Sequence, residues 1–406
     1  MTKHNNDNDP RESKPEAGAF DATAAVSALT DLNHPTKARV AEWASTELQN
    51  PTVEDDDANC RFWSDGWDKA ADYGLTGLMV DPELGGTGDS IIDALLAFEG
   101  LSYGCNDAGL VYGLTTQVWT LQPVLERFGS DAQQSRYLPA LCDGSKIGAF
   151  SITEPDAGSD IFSLTTTATE TDDGSGYTLN GTKAYCTMSP VADLVLVFAT
   201  SDPALGSWGV SAFVVDASNP GLTVGPNQPK MGLRTTPIAS LELNDCYVEN
   251  SCRLGPVGSG AAIFSAAMEI ERAFMLVAQL GMMERMLDET VAYCSRRQQF
   301  GQPIGTFQAV SHRLADMKLA HDNSRLQLYR SAILHAQGKP SMLTAALAKV
   351  QTSEAALAMA SAAMLNHGAK GFITQYGVEQ YFRNVAGGVI YGGTSDVQRN
   401  VIAEML

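Results

Sequence analysis

The sequence predicts a mainly α-helical protein with a central β-domain. Apolar residues recur at helical spacing up to about residue 146, give way to short β-rich runs between about 147 and 249, and return to helical spacing after about 260. In addition, 44% of the 406 residues are hydrophobic, which suffices for packed cores in a chain of this length. We therefore predict folded segments over 35–146, 147–249 and 250–406, after a tail of residues 1–34.

The tail and the segment after it differ in composition. The tail, residues 1–34, begins with a polar stretch rich in Asn, Asp and Pro that lacks the apolar core of a secretory signal, so we expect it to be disordered. In the segment 35–146, apolar residues such as Trp63, Trp67 and Ala70 lie three or four positions apart. This spacing predicts an α-helical N-terminal domain.

The middle segment has the pattern of a β-domain. Its short runs are rich in strand-forming residues and are separated by Gly, Asp, Asn and Pro, which favour turns. The runs are IGAFSIT, GYTLNGTKAYCTM, DLVLVFAT, GVSAFVVD and ASLELNDCYV.

Long helical patterns return after Gly260. Their Ala-rich stretches are apolar on more than one face, which is typical of helices in a bundle and predicts contact with another subunit. The predicted helices cover roughly 260 to 295, 306 to 336, 341 to 367 and 374 to 386, with a last helix from Ser395.

Charge and composition exclude several classes of function. The net charge of -20, from 47 acidic and 27 basic residues, argues against binding to nucleic acid or to an anionic membrane. No run approaches the ~18 to 20 apolar residues of a membrane span. The seven cysteines are scattered and the six histidines form no ligand cluster, so we expect no metal site and a cytoplasmic location.

Glu271 is the first candidate for chemistry, because its own helix face is apolar. Residues such as Ala267 and Phe274 lie at its i±3 and i±4 positions. Glu269, by contrast, has Arg272 at i+3 and is expected to form a surface pair with it. A buried carboxylate with a raised pKa is how enzymes prepare a general base, although a solvated side chain at a bend gives the same pattern.

Four further segments could bind a ligand. Residues 152–160 (ITEPDAGSD) form a loop that exposes backbone donors or makes an ordinary β-turn. Residues 183–187 (KAYCT) fit either a core strand or a cofactor wall. Arg297 lies at the end of a predicted helix, where its charge could either stabilise the helix dipole or bind a phosphate. In residues 389–396 (VIYGGTSD), two glycines precede a helix N-cap whose free N–H groups can bind an anion.

Taken together, these features resemble the acyl-CoA dehydrogenase family from about residue 57 to the C-terminus. The motifs ITEPDAGSD, LNGTKAYCT, KMGLR, SRRQQFGQPIGTFQAV and YGGTSDVQRNVIAEML stand in family order. The resemblance implies the acyl-CoA dehydrogenase fold: an N-terminal helical domain, a middle β-barrel-like domain and a C-terminal four-helix bundle. It also implies FAD between the last two domains and a homotetramer.

The resemblance further assigns positions around FAD. Those along the flavin and the pantetheine arm are Phe150, Ile152, Thr153 and Ser159, and those beside the isoalloxazine are Tyr185, Cys186 and Thr187. Those that reach the FAD of a neighbouring subunit are Arg297, Gln299, Phe300 and Gln308. Those at the FAD pyrophosphate and the last helix are Gly368, Gly393, Thr394 and Asp396.

The catalytic position departs from the common family pattern. Most members carry a Glu in the loop where this chain has Gly392, whereas a branch similar to isovaleryl-CoA and long-chain acyl-CoA dehydrogenases carries it on a helix before an Arg. The matching pair here is Glu271 and Arg272. The resemblance therefore implies that Glu271 removes the α-proton of an acyl thioester, with the Gly392 N–H on the carbonyl. Ser159 and Glu269 would contact the substrate.

The identity of the substrate and the class of reaction stay open at this point. The acyl group could be carried by coenzyme A, which we favour, or by a carrier protein, since prolyl-carrier-protein dehydrogenases resemble this sequence and share the helix-borne Glu. A flavin-dependent oxygenase on the same fold and a non-catalytic relative are two further classes. For a dehydrogenase, the resemblance implies electron transfer flavoprotein as the acceptor.

Overall fold

The computed structural model describes residues 21–406. Most of the predicted disordered tail, 1–34, lies outside the described residues, but α1 occupies Ala22–Thr30, so the tail prediction is wrong for that part. Asp21 caps this helix by accepting hydrogen bonds from two backbone N–H groups, and two alanines on its inner face are buried. Local capping and burial therefore order a segment whose polar surroundings suggested disorder.

The N-terminal segment is helical, as predicted. Its helices are α2 (Pro35–Glu47), α3 (Val53–Asn59), α4 (Ser64–Asp72), α5 (Ile91–Gly104), α6 (Ala108–Thr116), α7 (Gln122–Phe128) and α8 (Asp131–Cys142). A π-helical turn, Gln117–Leu121, joins α6 to α7. Serines cap α5 and α8: Ser90 accepts from Asp93 N, and Ser130 forms a capping box with Gln133.

The middle segment forms one eight-stranded sheet, whose last strand lies beyond the predicted boundary at residue 249. Its strands are β1 (Gly148–Ser151), β2 (Thr167–Glu170), β3 (Gly176–Thr187), β4 (Leu194–Thr200), β5 (Val210–Asp216), β6 (Leu222–Val224), β7 (Ile238–Glu249) and β8 (Arg253–Leu254). They pair in the order β6-β7-β3-β2-β4-β5-β8, and β1 pairs in parallel with β4. The five predicted runs correspond to β1, β3, β4, β5 and β7, whereas the short strands β2, β6 and β8 were not predicted.

A bulge in β3 decides which of its side chains point outward. The register against β7 shifts between Lys183 and Cys186, and Tyr185 adopts a left-handed φ of 55°. As a result Tyr185 is 63% exposed while Cys186 beside it is buried.

The C-terminal segment contains α9 (Gly260–Phe274), α10 (Val277–Arg296), α11 (Gln308–Ala336), α12 (Met342–His367), α13 (Ala369–Phe372), α14 (Val378–Ala386) and α15 (Ser395–Glu404). A hairpin of β9 (Gln298–Gln299) and β10 (Gln302–Pro303) follows α10. The single helix predicted over 260 to 295 is wrong, because Met275 and Leu276 separate α9 from α10. Both side chains are buried in the core, and neither residue is the Gly or Pro that usually indicates a helix end.

A buried ion network joins the N-terminal helices to the C-terminal bundle. Glu99 on α5 lies 3.2 Å from Lys37 Nζ and 2.8 Å from Arg325 Nε, and it accepts a hydrogen bond from Tyr329. Although burial opposes its charge, Arg325 and Lys37 hold the pKa of Glu99 below its usual range. Within residues 21–406, no helix combines the length and apolar character needed to cross a membrane.

Candidate active site

Glu271 lies in the last turn of α9, with only 9% of its surface exposed. Burial raises the pKa of this carboxyl to about 7, against the lowering effects of a hydrogen bond with Thr120 and of the Arg272 charge. Thr120 belongs to the π-helical turn between α6 and α7. The structure therefore holds a carboxylate whose proton exchanges near neutral pH, which is the property of a general base.

The neighbours of Glu271 on α9 differ from one expectation. Among the described residues Glu269 forms no ion pair with Arg272; instead it accepts a hydrogen bond of 2.9 Å from Ser341 Oγ. Burial lowers the pKa of Arg272, and its Nε has no hydrogen-bond partner within the described chain. The predicted surface pair is therefore wrong as a direct ion pair, although the charge of Glu269 still raises the pKa of Arg272 against the effect of burial.

The loop before α15 approaches Glu271 directly. A Cβ added at Gly392 would lie 3.9 Å from Glu271 Oε1 and 3.5 Å from Met275 Sδ. The carboxylate of Glu271 thus lies next to the space that a side chain at position 392 would enter. This geometry gives a physical reason why the loop carries no carboxylate of its own.

The loop itself is shaped by two left-handed glycines, Gly392 at φ 63° and Gly393 at φ 80°. A Cβ at Gly393 would come within 2.3 Å of Gln398 Nε2, which donates 3.1 Å to Gly392 O. Thr394 Oγ1 caps α15 by accepting from Val397 N. The buried Ser395 hydroxyl has no partner in the described chain, so this helix start offers unused hydrogen-bonding groups.

Two tyrosines complete the surroundings of Glu271: Tyr391, which lies in the segment 389–396, and Tyr112, which no sequence pattern indicated. The rings of Tyr112 on α6 and Tyr391 beside Gly392 have centroids 4.8 Å apart. Burial raises the pKa of Tyr112, whose hydroxyl is hydrogen-bonded with Thr187 at the end of β3. An aromatic residue on an apolar helix is typical of a core, so only the tertiary contacts distinguish Tyr112.

The loop after β1 is fixed by a buried ion pair. Lys183 Nζ lies 2.8 Å from Glu154 Oε1, and both side chains are almost fully buried. Although burial opposes its charge, hydrogen bonds from Lys183 and Thr166 lower the pKa of Glu154 to about 2. The same loop reaches α9, where the rings of Phe162 and Phe264 lie 5.8 Å apart.

The predicted positions on this loop and on β3 differ in exposure. Ile152 is buried, Phe150 and Thr153 are half-buried, and Ser159 is exposed. Burial raises the pKa of the Cys186 thiol to about 11, and its Sγ lies 3.7 Å from Phe150 O.

Other predicted positions lie far from Glu271 within one chain. Four of them are exposed at the hairpin after α10 or at the start of α11: Arg297, Gln299, Phe300 and Gln308. The 20 residues of α10 separate this hairpin from Glu271 by ~30 Å at 1.5 Å per residue. Gly368, at φ 60°, follows α12 and is also exposed, as is Asp396 on the first turn of α15.

Three family models cover nearly the whole described chain. The acyl-CoA dehydrogenase N-terminal domain matches residues 31–145, the middle domain matches 149–246 and the C-terminal domain matches 258–406.

Among curated relatives, L-prolyl-[peptidyl-carrier protein] dehydrogenase of Pseudomonas fluorescens is 38% identical over 85% of this chain and 90% of that protein. The mitochondrial short-chain specific acyl-CoA dehydrogenase of Rattus norvegicus is 36% identical over 82% and 80%. Among solved structures, the prolyl acyl carrier protein oxidase AnaB has a TM-score of 0.89 and 38% identity, covering 91% of this chain and 97% of its own.

The structure of PigA with FAD and proline has a TM-score of 0.88 and 34% identity, covering 91% and 96%. These matches confirm the predicted mainly α fold with a central β-domain and its arrangement of helices, sheet and helical bundle. They also confirm that the ordered motifs identify an oxidoreductase family. The chain belongs to the acyl-CoA dehydrogenase family.

Proposed function

We propose that this protein is an FAD-dependent dehydrogenase that oxidises the α,β-bond of an acyl thioester to the trans-2-enoyl thioester, with Glu271 as the base. The observation that carries this proposal is the position of Glu271, buried beside Gly392 with a pKa of about 7. The loop carboxylate common in the family is missing, and the helix supplies one at the same place.

The residues of this chain fit FAD. The two left-handed glycines, the capped start of α15 and the unpaired Ser395 hydroxyl form a cradle suited to an anionic group. PigA, at 34% identity, was solved with FAD and proline. Residues proposed to hold FAD are Phe150, Ile152, Thr153, Ser159, Tyr185, Cys186, Thr187, Gly368, Gly393, Thr394 and Asp396.

Exposed residues at the hairpin suggest that the site is shared between subunits. Arg297, Gln299, Phe300 and Gln308 project from the chain far from their own Glu271, and Phe300 is 93% exposed. We propose that they contact the FAD of a neighbouring subunit in a homotetramer. Electron transfer flavoprotein is the proposed acceptor, and the cytoplasm is the proposed location.

The mechanism depends on removing a weakly acidic proton. Bound FAD supplies the acceptor for the hydride that leaves the β-carbon. Glu271, in its ionised form, takes the proton from the α-carbon, while the Gly392 N–H donates to the thioester oxygen and stabilises the charge that develops there. Arg272 orients Glu271 and favours its ionised form. Glu269 and Ser159 are proposed to contact the arm that carries the acyl group.

A second candidate is the oxidation of a prolyl group carried by a carrier protein. The observation that favours it is the 38% identity with the Pseudomonas prolyl-carrier-protein dehydrogenase and with AnaB. The α-carbon of a prolyl thioester also lies beside a thioester carbonyl, so the same base and the same N–H would serve. AnaB is named an oxidase, so oxygen is the competing acceptor.

The first test is anaerobic bleaching of the flavin absorbance by a panel of saturated acyl-CoAs and a prolyl carrier protein. We expect at least one thioester to bleach the flavin. The identity of that thioester shows whether the acyl group is carried by coenzyme A or by a carrier protein. If a protein that holds FAD is bleached by none of them, the dehydrogenase proposal is wrong. Rapid oxygen consumption by the reduced enzyme, without another acceptor, would then favour the oxygenase.

Thr120→Val is expected to shift the pH dependence of flavin reduction to higher pH. Activity should rise as Glu271 ionises near pH 7, and the Thr120 hydrogen bond lowers that pKa. Its removal should raise the midpoint by about half to one unit. Single-turnover rates between pH 5.5 and 9 measure the midpoint. Thr116→Val, which removes a hydroxyl bonded to Gly113 O, is the control; an unchanged or lower midpoint in Thr120→Val would contradict this role.

A further inference from the structure

Tyr112 is a buried neighbour of Glu271 and of the loop before α15. This tyrosine is 8% exposed, its hydroxyl bonds Thr187, and its ring lies 4.8 Å from Tyr391. It also interacts electrostatically with Glu271. The side chain of Tyr112 therefore interacts with all three elements of the site: the end of β3, Glu271 on α9 and the loop before α15.

The helix that carries Tyr112 cannot retreat. A Cβ added at Gly109 would lie 2.1 Å from Thr235 Oγ1, and one at Gly113 would lie 2.8 Å from Met188 Sδ. These two glycines are one turn apart, so a face of α6 packs directly on the middle domain. The backbone around Tyr112 is therefore held in place, and the ring cannot make room by a shift of its helix.

About two helical turns along the chain from Tyr112, a second group of aromatic rings is packed in the same core. Trp119 is fully buried, and its ring lies 5.5 Å from Phe98 and 5.9 Å from Phe274. The π-helical turn that carries Trp119 is fixed by Gln117, which donates to Leu141 O and accepts from Gly148 N. A long acyl chain that passed Tyr112 would have to displace this packed core.

We propose that Tyr112 limits the substrate to a compact acyl group, either a short unbranched one such as butyryl or a small ring such as prolyl. This inference rests on the proposed function, since it takes Glu271 as the point where the α-carbon is held. Tyr391, whose ring packs against that of Tyr112, forms the second wall of the compartment. Longer acyl groups are rejected by the ring of Tyr112 and not by its hydroxyl.

The test uses butyryl, hexanoyl and octanoyl thioesters of pantetheine, the arm that both proposed tethers share. We expect the FAD-loaded enzyme to prefer butyryl over octanoyl by at least ~100-fold in kcat/KM, since each methylene in an apolar pocket is worth about 10-fold or more. Tyr112→Ala should reduce this preference by ~10-fold or more. Tyr112→Phe keeps the ring and should preserve the preference within about twofold.

Binding measurements with unreactive compounds test the role of Tyr112 separately from the proposed reaction. S-butyl and S-octyl thioethers of pantetheine lack the carbonyl and cannot be dehydrogenated in this way, so calorimetry reports the fit alone. The native protein should bind the butyl compound more tightly, and Tyr112→Ala should bind the octyl compound at least as well. If no thioester bleaches the flavin but this order of binding holds, the proposed function fails and the role of Tyr112 stands.

Folding of the variants needs its own control. Loss of a buried ring destabilises a core, so Tyr112→Val, which leaves a smaller cavity, accompanies Tyr112→Ala. Retained flavin absorbance and near-UV circular dichroism would show that each variant is folded. Equal use of octanoyl and butyryl by the native enzyme would overturn the proposal. So would a folded Tyr112→Ala or Tyr112→Val that keeps the native preference.

Discussion

Glu271→Gln is expected to lower the rate of anaerobic flavin reduction by about 10²- to 10⁴-fold, the range that a positioned general base contributes. The amide has nearly the same shape as the carboxyl but cannot accept the α-proton. Substrate binding should persist, because the amide side chain would still fit the pocket beside Thr120 and Gly392. Stopped-flow measurement of a single turnover isolates this step from later electron transfer.

The matched control is Glu354→Gln on α12, where the carboxylate is half-exposed and paired with Arg399. It should keep the native rate. A residual rate in Glu271→Gln within about threefold of the native enzyme would show that another group is the base, since the expected loss is far larger.

A rescue experiment follows from the 3.9 Å between Glu271 Oε1 and a Cβ built at Gly392. The double variant Glu271→Gly with Gly392→Glu moves the carboxylate from helix to loop. We expect it to react about tenfold faster than Glu271→Gly alone. Recovery should be incomplete, because position 392 has a φ of 63°, which costs energy for any residue with a side chain.

Lys183→Met is expected to lower the free energy of unfolding by about 3 to 5 kcal/mol, as found when one partner of a buried ion pair is removed. Glu154 would stay buried without its countercharge, since its side chain is only 3% exposed. The loop after β1 depends on the same carboxylate, which also accepts hydrogen bonds from the N–H groups of Thr165 and Thr166. Urea unfolding at pH 7 measures the loss.

The pH dependence of this loss has a definite sign. The pKa of Glu154 is about 2 in the folded protein, below its ordinary value of 4.5. Its contribution to stability is therefore complete above about pH 4.5 and disappears as the pH falls toward 2. The difference between the native protein and Lys183→Met should narrow over the same range.

A double variant provides the control for the buried pair. Glu154→Gln combined with Lys183→Met removes both charges, and it should recover a large part of the stability that Lys183→Met loses. A change of less than about 0.5 kcal/mol in Lys183→Met, typical of a surface substitution, would show that the pair contributes nothing to the fold.

The burial of Glu271 was predictable in part, because helical periodicity places it on an apolar face, a pattern that a solvated side chain at a bend also gives. The glycine at 392, where a relative would carry Glu, supported the same prediction from a distant part of the chain. Both signals are local in sequence, and the structure brings Glu271 and Gly392 together. The five main strands and the long helices of the bundle were predictable for the same reason.

The remaining features depend on contacts distant in sequence. The break at Met275 and Leu276 has no Gly or Pro to indicate it, and both residues are buried. The hydroxyl of Thr120 reaches Glu271 from a π-helical turn, an irregularity that the sequence pattern did not predict. Tyr112 has the appearance of a core residue until β3 and α9 are placed around it.

The carboxylate of Glu271 comes from α9, whereas the loop before α15 contributes mainly backbone groups, and this separation affects how such a protein can diverge in evolution. Because the carboxylate comes from a helix anchored in the core, its place is set when the chain folds and needs no ordering by the substrate. The loop contributes main-chain groups and two left-handed residues, Gly392 and Gly393, while Ile390 beside them is 66% exposed. Mutations in the loop side chains therefore leave the carboxylate of Glu271 in place, because it is anchored on another element.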